Sequence, residues 1–366
     1  MVGPLSGIRV LDFTRHQQGP YATSLLADMG AAVIKVEPRL DGEWGRQSER
    51  DENGFSAYFE SYNRGKQSIT LDIRRPEGRE VVLRLVPRVD VLVENFRPGY
   101  MNRVGPGYDH IAQAVGGLMI EQAGGPGHDP IPALPGAADQ ISATMFAFGI
   151  ASALVARDRN GAGQKVEVSL LGSIIAFQGR QITRFLYTGK QGRARWRRSP
   201  LYSHYRASDG WVAIAAQDTK RWARLCAALE HPELIDDPRF AGPWDRHHNA
   251  EELESVLEQI FATRTAAEWL ERLVAEDLPC APVNDYRALI EGENLPAQLD
   301  ANGYLATVEH PDLGTLRTAG IPIQMSGTPP GPAGHSPELG QQTEAVLLEL
   351  GYTWEQMEQL RRDEVI

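Results

Sequence analysis

One aspartate lies where a carboxylate could do chemistry. Asp139 follows Pro135 and Gly136 and begins an apolar stretch that predicts a helix from about Ala138 to Arg157. An aspartate at such a position is commonly a helix cap or a first-turn acid, and the spacing by itself favours that role. The position also suits a nucleophile, because free amides and the positive end of the helix dipole would hold a carboxylate ionised. The residues alone leave both roles open.

The motifs of several other enzyme classes are absent from this sequence. It contains no GxGxxG turn, no P-loop, no GxSxG elbow and no HExxH helix. The nine histidines are scattered, and the two cysteines, Cys226 and Cys280, have no disulfide or metal-ligand spacing. We therefore expect no metal site and a reduced, cytoplasmic location.

Length and charge limit the classes of protein to which the chain can belong. With 366 residues, 42% of them hydrophobic and 23% charged, the chain has a globular composition and the length of two domains. Its net charge of −11 argues against nucleic-acid binding. The acidic excess lies beyond residue 105, so the neutral N-terminal part would tolerate a polyanionic small molecule, although the charge alone favours chance variation as the explanation. The most apolar stretch, Ile141 to Ala156, predicts a buried helix and not a membrane span.

The segments around Asp139 predict a parallel sheet. Short apolar strands alternate with helices through the first half of the chain, which is the pattern of βαβ units in an α/β fold. The strands are predicted at Ile8–Phe13, Ala32–Val36, Val89–Val93 and Lys165–Ser169. Helices are predicted at Tyr21–Met29, Pro76–Arg84 and near Leu171–Tyr187.

Composition changes along the chain predict its domains. Residues 1–188 form the first part of a large domain, and residues 189–204, which are basic and poor in aliphatic side chains, form a linker. Residues 205–295 form a smaller domain with one strand and several helices, and its last helix stops at a proline-bounded turn, Pro279–Asn284. Residues 296–366 return to the large domain.

Several strings occur in order along nearly the whole chain: Gly7–Thr14, Gly19–Thr23, Leu26–Ala31, Ile34–Pro38, Asn63–Lys66, Val93–Gly99, Asp209–Ile214, Leu278–Asn284 and His335–Gly340. With these strings the chain resembles the family III CoA-transferases (CaiB/BaiF family), the group of formyl-CoA transferase and carnitine CoA-transferase. The resemblance implies an α/β fold with a Rossmann-like, CoA-binding large domain built from both chain ends around a parallel sheet. It also implies a smaller inserted α+β domain and an interlocked homodimer.

The resemblance gives Asp139 the role of nucleophile. CoA would move from an acyl-CoA donor to a small carboxylic acid through an aspartyl–acyl anhydride and an aspartyl–CoA thioester. Gln17 matches an active-site glutamine of the family, and Asp109 falls where formyl-CoA transferase has a second active-site carboxylate. A glutamine in a surface loop and an aspartate at a helix start are the alternatives for these two residues.

Coenzyme A requires cations for its phosphates, and five residues match the nucleotide-contacting region of the family. They are Arg39, Arg46, Asn95, Arg97 and Arg103. The cysteine spacing, the net charge and the short apolar stretch predict no metal, no nucleic-acid partner and no membrane partner.

The chain departs from the family after Gly105. Relatives continue there through a helix, a strand and a glycine-rich loop, whereas here Pro106 follows directly. Either the protein has lost this stretch or residues are missing from this sequence. We favour missing residues, because the flanking strings are unchanged.

Two other activities are compatible with the same resemblance. An α-methylacyl-CoA racemase or a CoA-lyase could use this scaffold, but the racemase histidine aligns with Tyr108, which is a poor base near neutral pH. His110 is offset from that position by two residues, and it leaves the racemase alternative open as another candidate base. A non-catalytic acyl-CoA-binding relative is the second alternative, because of the stretch absent after Gly105.

Overall fold

The structure is a computed structural model that describes residues 3–52, 54–96, 108–191, 199–292 and 295–366. The chain divides into two compact units. Unit 1 comprises Met1–Ile120, Pro130–Lys190 and Ala297–Ile366, and unit 2 comprises Glu121–Asp129 and Gln191–Pro296. Residues 192–198 of the predicted linker lie outside the described residues.

Within the described residues there are seventeen α-helices and nine strands. The elements up to residue 191 are β1 (Arg9–Asp12), α1 (Gln18–Asp28), β2 (Ala32–Glu37), α2 (Ala57–Asn63), β3 (Gln67–Thr70), α3 (Pro76–Leu85), β4 (Val91–Val93), α4 (Asp109–Val115), α5 (Leu118–Ala123), α6 (Ala137–Asn160), α7 (Leu170–Phe177) and α8 (Gly179–Thr188). Two 3-10 helices, Trp44–Gln47 and Val86–Arg88, lie between them.

The remaining elements begin at residue 202. They are β5 (Tyr202–Arg206), β6 (Trp211–Ala215), α9 (Thr219–Leu229), α10 (Glu233–Asp236), α11 (Pro243–His248), α12 (Ala250–Phe261), α13 (Ala266–Ala275), β7 (Cys280–Pro282), α14 (Tyr286–Glu291), α15 (Leu295–Ala301), β8 (Leu305–His310), β9 (Gly314–Ala319), α16 (Thr343–Glu349) and α17 (Trp354–Arg362).

The sheet of unit 1 has the order β3-β2-β1-β4, and all its strand pairs are parallel. This confirms the predicted α/β fold with a parallel sheet. Helices cover both faces of such a sheet, so apolar side chains that point to either face are buried. Leu11 and Ile34 pack on one face with side chains of the C-terminal helices α16 and α17, and Val10 and Val33 pack on the other with those of α1 and α6.

Two charged side chains of opposite sign are buried together, one at the end of β1 and one directly before β3. Lys66 Nζ donates to Asp12 Oδ2 at 3.1 Å and to the Pro20 carbonyl at 2.9 Å, and both charged side chains are fully buried. Burial by itself would raise the pKa of Asp12, but Lys66 and Lys35 lower it to about 2. Burial lowers the pKa of Lys66 to about 8. The pair ties the end of β1 to the start of α1, so the loop between them is held at both ends.

Two predictions about unit 1 are wrong. The predicted strand Lys165–Ser169 is not formed; among the described residues no neighbouring strand pairs with this extended segment, and a strand requires a paired neighbour. The predicted helix Leu171–Tyr187 is two helices, because Gln178 turns its side chain inward to donate to the Gly116 and Ile174 carbonyls.

Helix α6 is less buried than we expected. Its buried residues lie along one face: Ala138, Ser142, Ala143, Ile150 and Leu154. By length and composition the helix is long and apolar enough to cross a membrane, and 28% of its most apolar 18-residue stretch is buried. One such helix is weak support for a span, since the core helix of a soluble protein meets the same criteria.

Unit 2 contains an antiparallel sheet of order β5-β6-β7 and its own apolar core. Tyr205 stacks on Phe261 with ring centroids 4.8 Å apart, and Trp269 packs against Phe261. The predicted turn Pro279–Asn284 is partly wrong, because its first half forms the edge strand β7. Proline is tolerated at Pro282 because β7 is an edge strand. On the side without a neighbouring strand, the missing N–H of the proline would form no inter-strand hydrogen bond.

Candidate active site

The site is built around the first turn of α6. Gly136 is the N-cap residue and has a left-handed backbone with φ of 81°. Asp139 is the third residue of the helix and is half-buried. No hydrogen bond or ion pair within the described ranges involves its carboxylate. A carboxylate in the first turn without such a partner is available to a ligand.

The capping role belongs to Asp109, the first residue of α4. Its Oδ1 accepts the backbone N–H groups of Ala138 at 2.6 Å and Asp139 at 3.3 Å, and its Oδ2 accepts that of Gly136 at 3.1 Å. Gln113 holds Asp109 in place by donating to Oδ2 at 2.8 Å. Asp109 therefore satisfies the free amides at the helix start that Asp139 would otherwise cap.

The electrostatic environment of Asp139 differs from our expectation. Burial, and then the negative charge of Asp109, raise the pKa of Asp139 to about 7. We expected the free amides and the dipole of the helix terminus to hold this carboxylate ionised. That argument is wrong, because another carboxylate occupies the free amides and adds like charge.

Gln17 ends the loop between β1 and α1, next to the same helix turn. The amide of Asn95 fastens this loop from the end of β4, donating to the Arg15 carbonyl at 2.8 Å and accepting the Arg15 N–H at 2.9 Å. On the other side, buried Asp12 accepts the N–H and the hydroxyl of Thr14. The loop that presents Gln17 is therefore anchored to two strands.

The carboxamide of Gln17 lies directly over Gly136. A Cβ atom added at Gly136 would come within 2.0 Å of Gln17 Nε2 and 2.7 Å of Oε1. The same Nε2 donates to the hydroxyl of Tyr62 at 2.8 Å. Gln140, the residue after Asp139, also donates to this hydroxyl, at 3.4 Å. The structure thus brings Gln17, Asp109 and Asp139 together around one helix turn.

Tyr62 and Gly136 are parts of this site that the sequence analysis missed. The sequence carried one available signal, a glycine directly before a predicted helix, where Ser, Thr, Asn or Asp is more usual. For Tyr62, which lies on α2, no local pattern points to the site.

Tyr62 belongs to a row of aromatic side chains. The ring centroids are 5.6 Å apart for His16 and Trp44, 5.5 Å for Trp44 and Tyr58, 4.9 Å for Tyr58 and Tyr62, and 5.6 Å for Tyr62 and Tyr21. Most of the contacts are edge-to-face, a favourable geometry for aromatic pairs. The row runs from exposed Trp44 to the hydroxyl that contacts Gln17.

Arg46, a predicted CoA contact, forms an ion pair within the protein. Its Nε and Nη2 donate to the two oxygens of buried Glu37 at 2.8 and 2.7 Å, and Nη2 also donates to the Pro337 carbonyl. Its guanidinium lies over the Phe59 ring, 3.9 Å from the centroid. Nε and Nη2 of Arg46 are thus bonded to Glu37, and Nη1 is the part of the guanidinium that is left to contact a phosphate.

The other predicted CoA contacts have different surroundings. Arg39 is partly exposed and lies 3.3 Å from Glu364. Asn95 uses both ends of its amide on Arg15. Arg97 and Arg103 lie outside the described residues, as does the Gly105–Pro106 junction.

One group of side chains has the composition of a metal site. His310, Asp312 and Glu338 offer ligand atoms within 4.8 Å of one another. However, His310 Nδ1 already accepts the N–H groups of Asp312 and Leu313, which leaves the ring proton on Nε2. Both acids are exposed. This chemistry gives no support for a resident metal.

Comparison with known proteins places the chain in a family. A family model described as CoA-transferase family III matches residues 5–105 and 104–343. The match is divided at the point where we inferred an absent stretch. The alignments with relatives point the same way, since several of them are longer than the 366 residues of this chain.

Similar proteins cover nearly the full chain. A succinyl-CoA:mesaconate CoA-transferase of Haloarcula marismortui is 33% identical over 395 residues, covering 96% of this chain and 97% of that protein. A succinyl-CoA:glutarate CoA-transferase of Mus musculus is 33% identical and covers 95% of this chain and 86% of that protein. The crystal structure of a CAIB/BAIF family protein from Brucella suis superposes with a TM-score of 0.82 at 28% identity, covering 96% of this chain and 100% of the other. The chain therefore belongs to CoA-transferase family III.

Proposed function

We propose that this protein transfers CoA from an acyl-CoA to a carboxylic acid with Asp139 as the nucleophile. The observation that carries the proposal is the division of roles between two carboxylates. Asp109 caps α6, while Asp139 keeps a half-buried carboxylate to which the described residues offer no hydrogen bond. A raised pKa also makes Asp139 a more basic carboxylate, and a stronger nucleophile once it is ionised.

The proposed reaction exchanges two bonds in each half. A carboxylate oxygen of Asp139 attacks the thioester carbonyl carbon, so that a C–O bond forms, the C–S bond breaks and CoA thiolate leaves. The thiolate then attacks Cγ of Asp139, which releases the donor acid as a carboxylate and leaves an aspartyl–CoA thioester. The acceptor carboxylate repeats these steps in reverse and restores the Asp139 carboxylate. No electrons or protons are gained or lost overall.

Each step develops negative charge on a carbonyl oxygen, which hydrogen-bond donors must stabilise. The Gln17 amide lies against Gly136, three residues before the nucleophile. One N–H of this amide is bonded to Tyr62, and the second is available to the developing oxyanion. Gln17 is therefore our candidate for the oxyanion donor.

Trapping tests the proposed nucleophile. Purified protein is incubated with succinyl-CoA, the donor named for several relatives, and treated with borohydride or hydroxylamine before peptide mass spectrometry. The expected result is modification of Asp139 in the wild type and none in Asp139→Ala, together with transfer to mesaconate, glutarate or another acid. Exchange of an α-proton of the acyl group without transfer would instead indicate a racemase, and retained CoA binding with neither activity a binding protein.

We also propose a homodimer in the cytoplasm. Exposed apolar side chains cluster on α6 to α8, where Phe148, Phe177 and Leu186 are 71, 60 and 75% exposed and α8 buries none of its residues. Exposed apolar side chains of this size on three successive helices support pairing with a second copy. The two free cysteines support a reducing compartment. Light scattering of the wild type and of Leu186→Glu tests the dimer, which the added charge should weaken.

A further inference from the structure

We propose that Tyr62 is a positioning residue for the transfer reaction, because its hydroxyl holds the Gln17 carboxamide against Gly136 beside Asp139. The inference rests on the proposed function of the site. It assigns to α2 a part in a reaction otherwise carried by α6 and the β1–α1 loop.

The first observation is the hydrogen bonding of the Tyr62 oxygen. Gln17 donates to it at 2.8 Å and Gln140 at 3.4 Å, so both lone pairs have a donor. Burial raises the pKa of Tyr62, with the charge of Asp139 acting in the same direction, and the phenol therefore stays protonated at neutral pH. A neutral hydroxyl that accepts two amide N–H groups links the residue after the nucleophile to Gln17.

The second observation concerns the orientation of the Gln17 amide. A carboxamide presents a donor at one end and an acceptor at the other, and only the donor end stabilises an oxyanion. Packing against Gly136 confines the amide in space but does not distinguish its two ends. The bond from Nε2 to Tyr62 fixes the nitrogen end, which leaves the second N–H of that nitrogen in a defined direction.

The third observation is that the Tyr62 ring is itself held in place. It contacts Tyr58 at 4.9 Å and Tyr21 at 5.6 Å between centroids, both edge-to-face. The helix that carries Tyr62 is also fixed at its start. Ser56 caps α2, and its side-chain oxygen accepts the Phe59 N–H at 3.0 Å. The Tyr62 hydroxyl therefore lies on a packed ring and a capped helix, which position an acceptor more firmly than a loop does.

The test uses Tyr62→Phe, which keeps the ring and removes only the oxygen. We expect kcat for CoA transfer to fall by roughly 10- to 100-fold, in the range for a weakened oxyanion donor, while KM for the acyl-CoA stays within about twofold. Tyr286→Phe is the matched control, since it removes an exposed tyrosine hydroxyl from unit 2 and should leave kcat unchanged. In a Gln17→Ala background, Tyr62→Phe should cause no further loss, because a positioning residue has nothing left to position.

A crystal structure of Tyr62→Phe supplies a readout that does not depend on activity. Displacement of the Gln17 amide from Gly136 supports the proposal. Unchanged kcat in Tyr62→Phe, losses that add in the double variant, or an unmoved Gln17 amide would each overturn it. If the wild type shows no transfer, the proposed function fails, and the position of Gln17 in the variant still decides whether Tyr62 positions it.

Discussion

Asp109 and Asp139 are joined through the backbone of the helix that carries the nucleophile. Oδ1 of Asp109 accepts the N–H of Asp139 at 3.3 Å, while its negative charge helps to raise the pKa of the Asp139 carboxyl to about 7. Asp109 thus caps the start of α6 and also makes the Asp139 carboxyl harder to ionise. The cap contributes about 1 kcal/mol to stability by comparison with other helix caps, and the repulsion acts against it at high pH.

The first prediction is that Asp139→Asn abolishes transfer and stabilises the protein at high pH. Because the folded-state pKa of Asp139 lies above its unfolded value, the folded state binds the extra proton between about pH 4 and pH 7. The wild type therefore loses stability as the pH rises through this window, and the asparagine variant does not. Thermal melts at pH 5 and pH 8 should show a melting-temperature advantage of the variant that is larger at pH 8. Asp158→Asn, an exposed change on the same helix, should show no such advantage.

The second prediction concerns the pH dependence of turnover. Asp139 attacks only as the carboxylate, so kcat/KM, which reports the ionisation of the free enzyme, should rise with pH through a midpoint near 7, within about a unit. Asp109→Asn removes the like charge while its amide oxygen can still accept an N–H. This variant should move the midpoint to lower pH. A profile of the wild type that is flat from pH 5.5 to pH 8.5 would contradict the assignment of Asp139 as the titrating nucleophile.

The third prediction distinguishes two effects of replacing Gly136: the clash of a new side chain with Gln17, and the strain of a left-handed backbone in a residue other than glycine. Gly136→Ala places a methyl group 2.0 Å from Gln17 Nε2 and should lower both kcat and stability. Gly161→Ala is the matched control at the other end of α6, with φ of 74° and nothing within 4 Å of the added atom. Both variants should lose about 1–2 kcal/mol from the left-handed backbone, and only Gly136→Ala should lose turnover. Equal kcat values in the two variants would show that the Gln17 amide does not need this space.

The fourth prediction concerns Arg46. Arg46→Ala should lower the free energy of unfolding by about 3–5 kcal/mol, the cost of leaving one partner of a buried ion pair alone, because Glu37 is buried against it. A loss of CoA binding in this variant would therefore not identify a contact. The double variant Arg46→Met with Glu37→Gln should recover part of the stability, because it removes the unpaired charge but leaves one oxygen to accept from the Ser68 hydroxyl and the Glu43 N–H. Isothermal titration of CoA with that double variant then decides: weaker binding supports the predicted phosphate contact, and unchanged binding removes it.

The apolar pattern of the sequence was sufficient to predict the elements that carry the site. The strand predictions around Leu11 and Ile34 and the long helix after Gly136 match β1, β2 and α6 closely, because a buried strand or helix must be apolar wherever it lies in the sequence. The family resemblance implied active-site roles for Asp139, Gln17 and Asp109, and the structure brings these residues to the same helix turn. The segment Lys165–Ser169 alternates apolar and polar residues, as a half-buried strand does, but it forms no strand, since pairing requires a neighbour that the local pattern cannot supply.

The roles of the polar residues were decided by the tertiary structure. The residues next to Arg46 in sequence do not show that its guanidinium pairs with buried Glu37. Those next to Asn95 do not show that both ends of its amide hydrogen-bond to Arg15, 80 residues away. Likewise, the cap of α6 comes from a residue 30 positions before Asp139. A charge or an amide is satisfied by whichever group the fold brings within about 3 Å, whereas an apolar side chain needs only to be out of water. The sequence therefore determined which segments are buried, and the tertiary structure determined which carboxylate caps the helix and which is left to react.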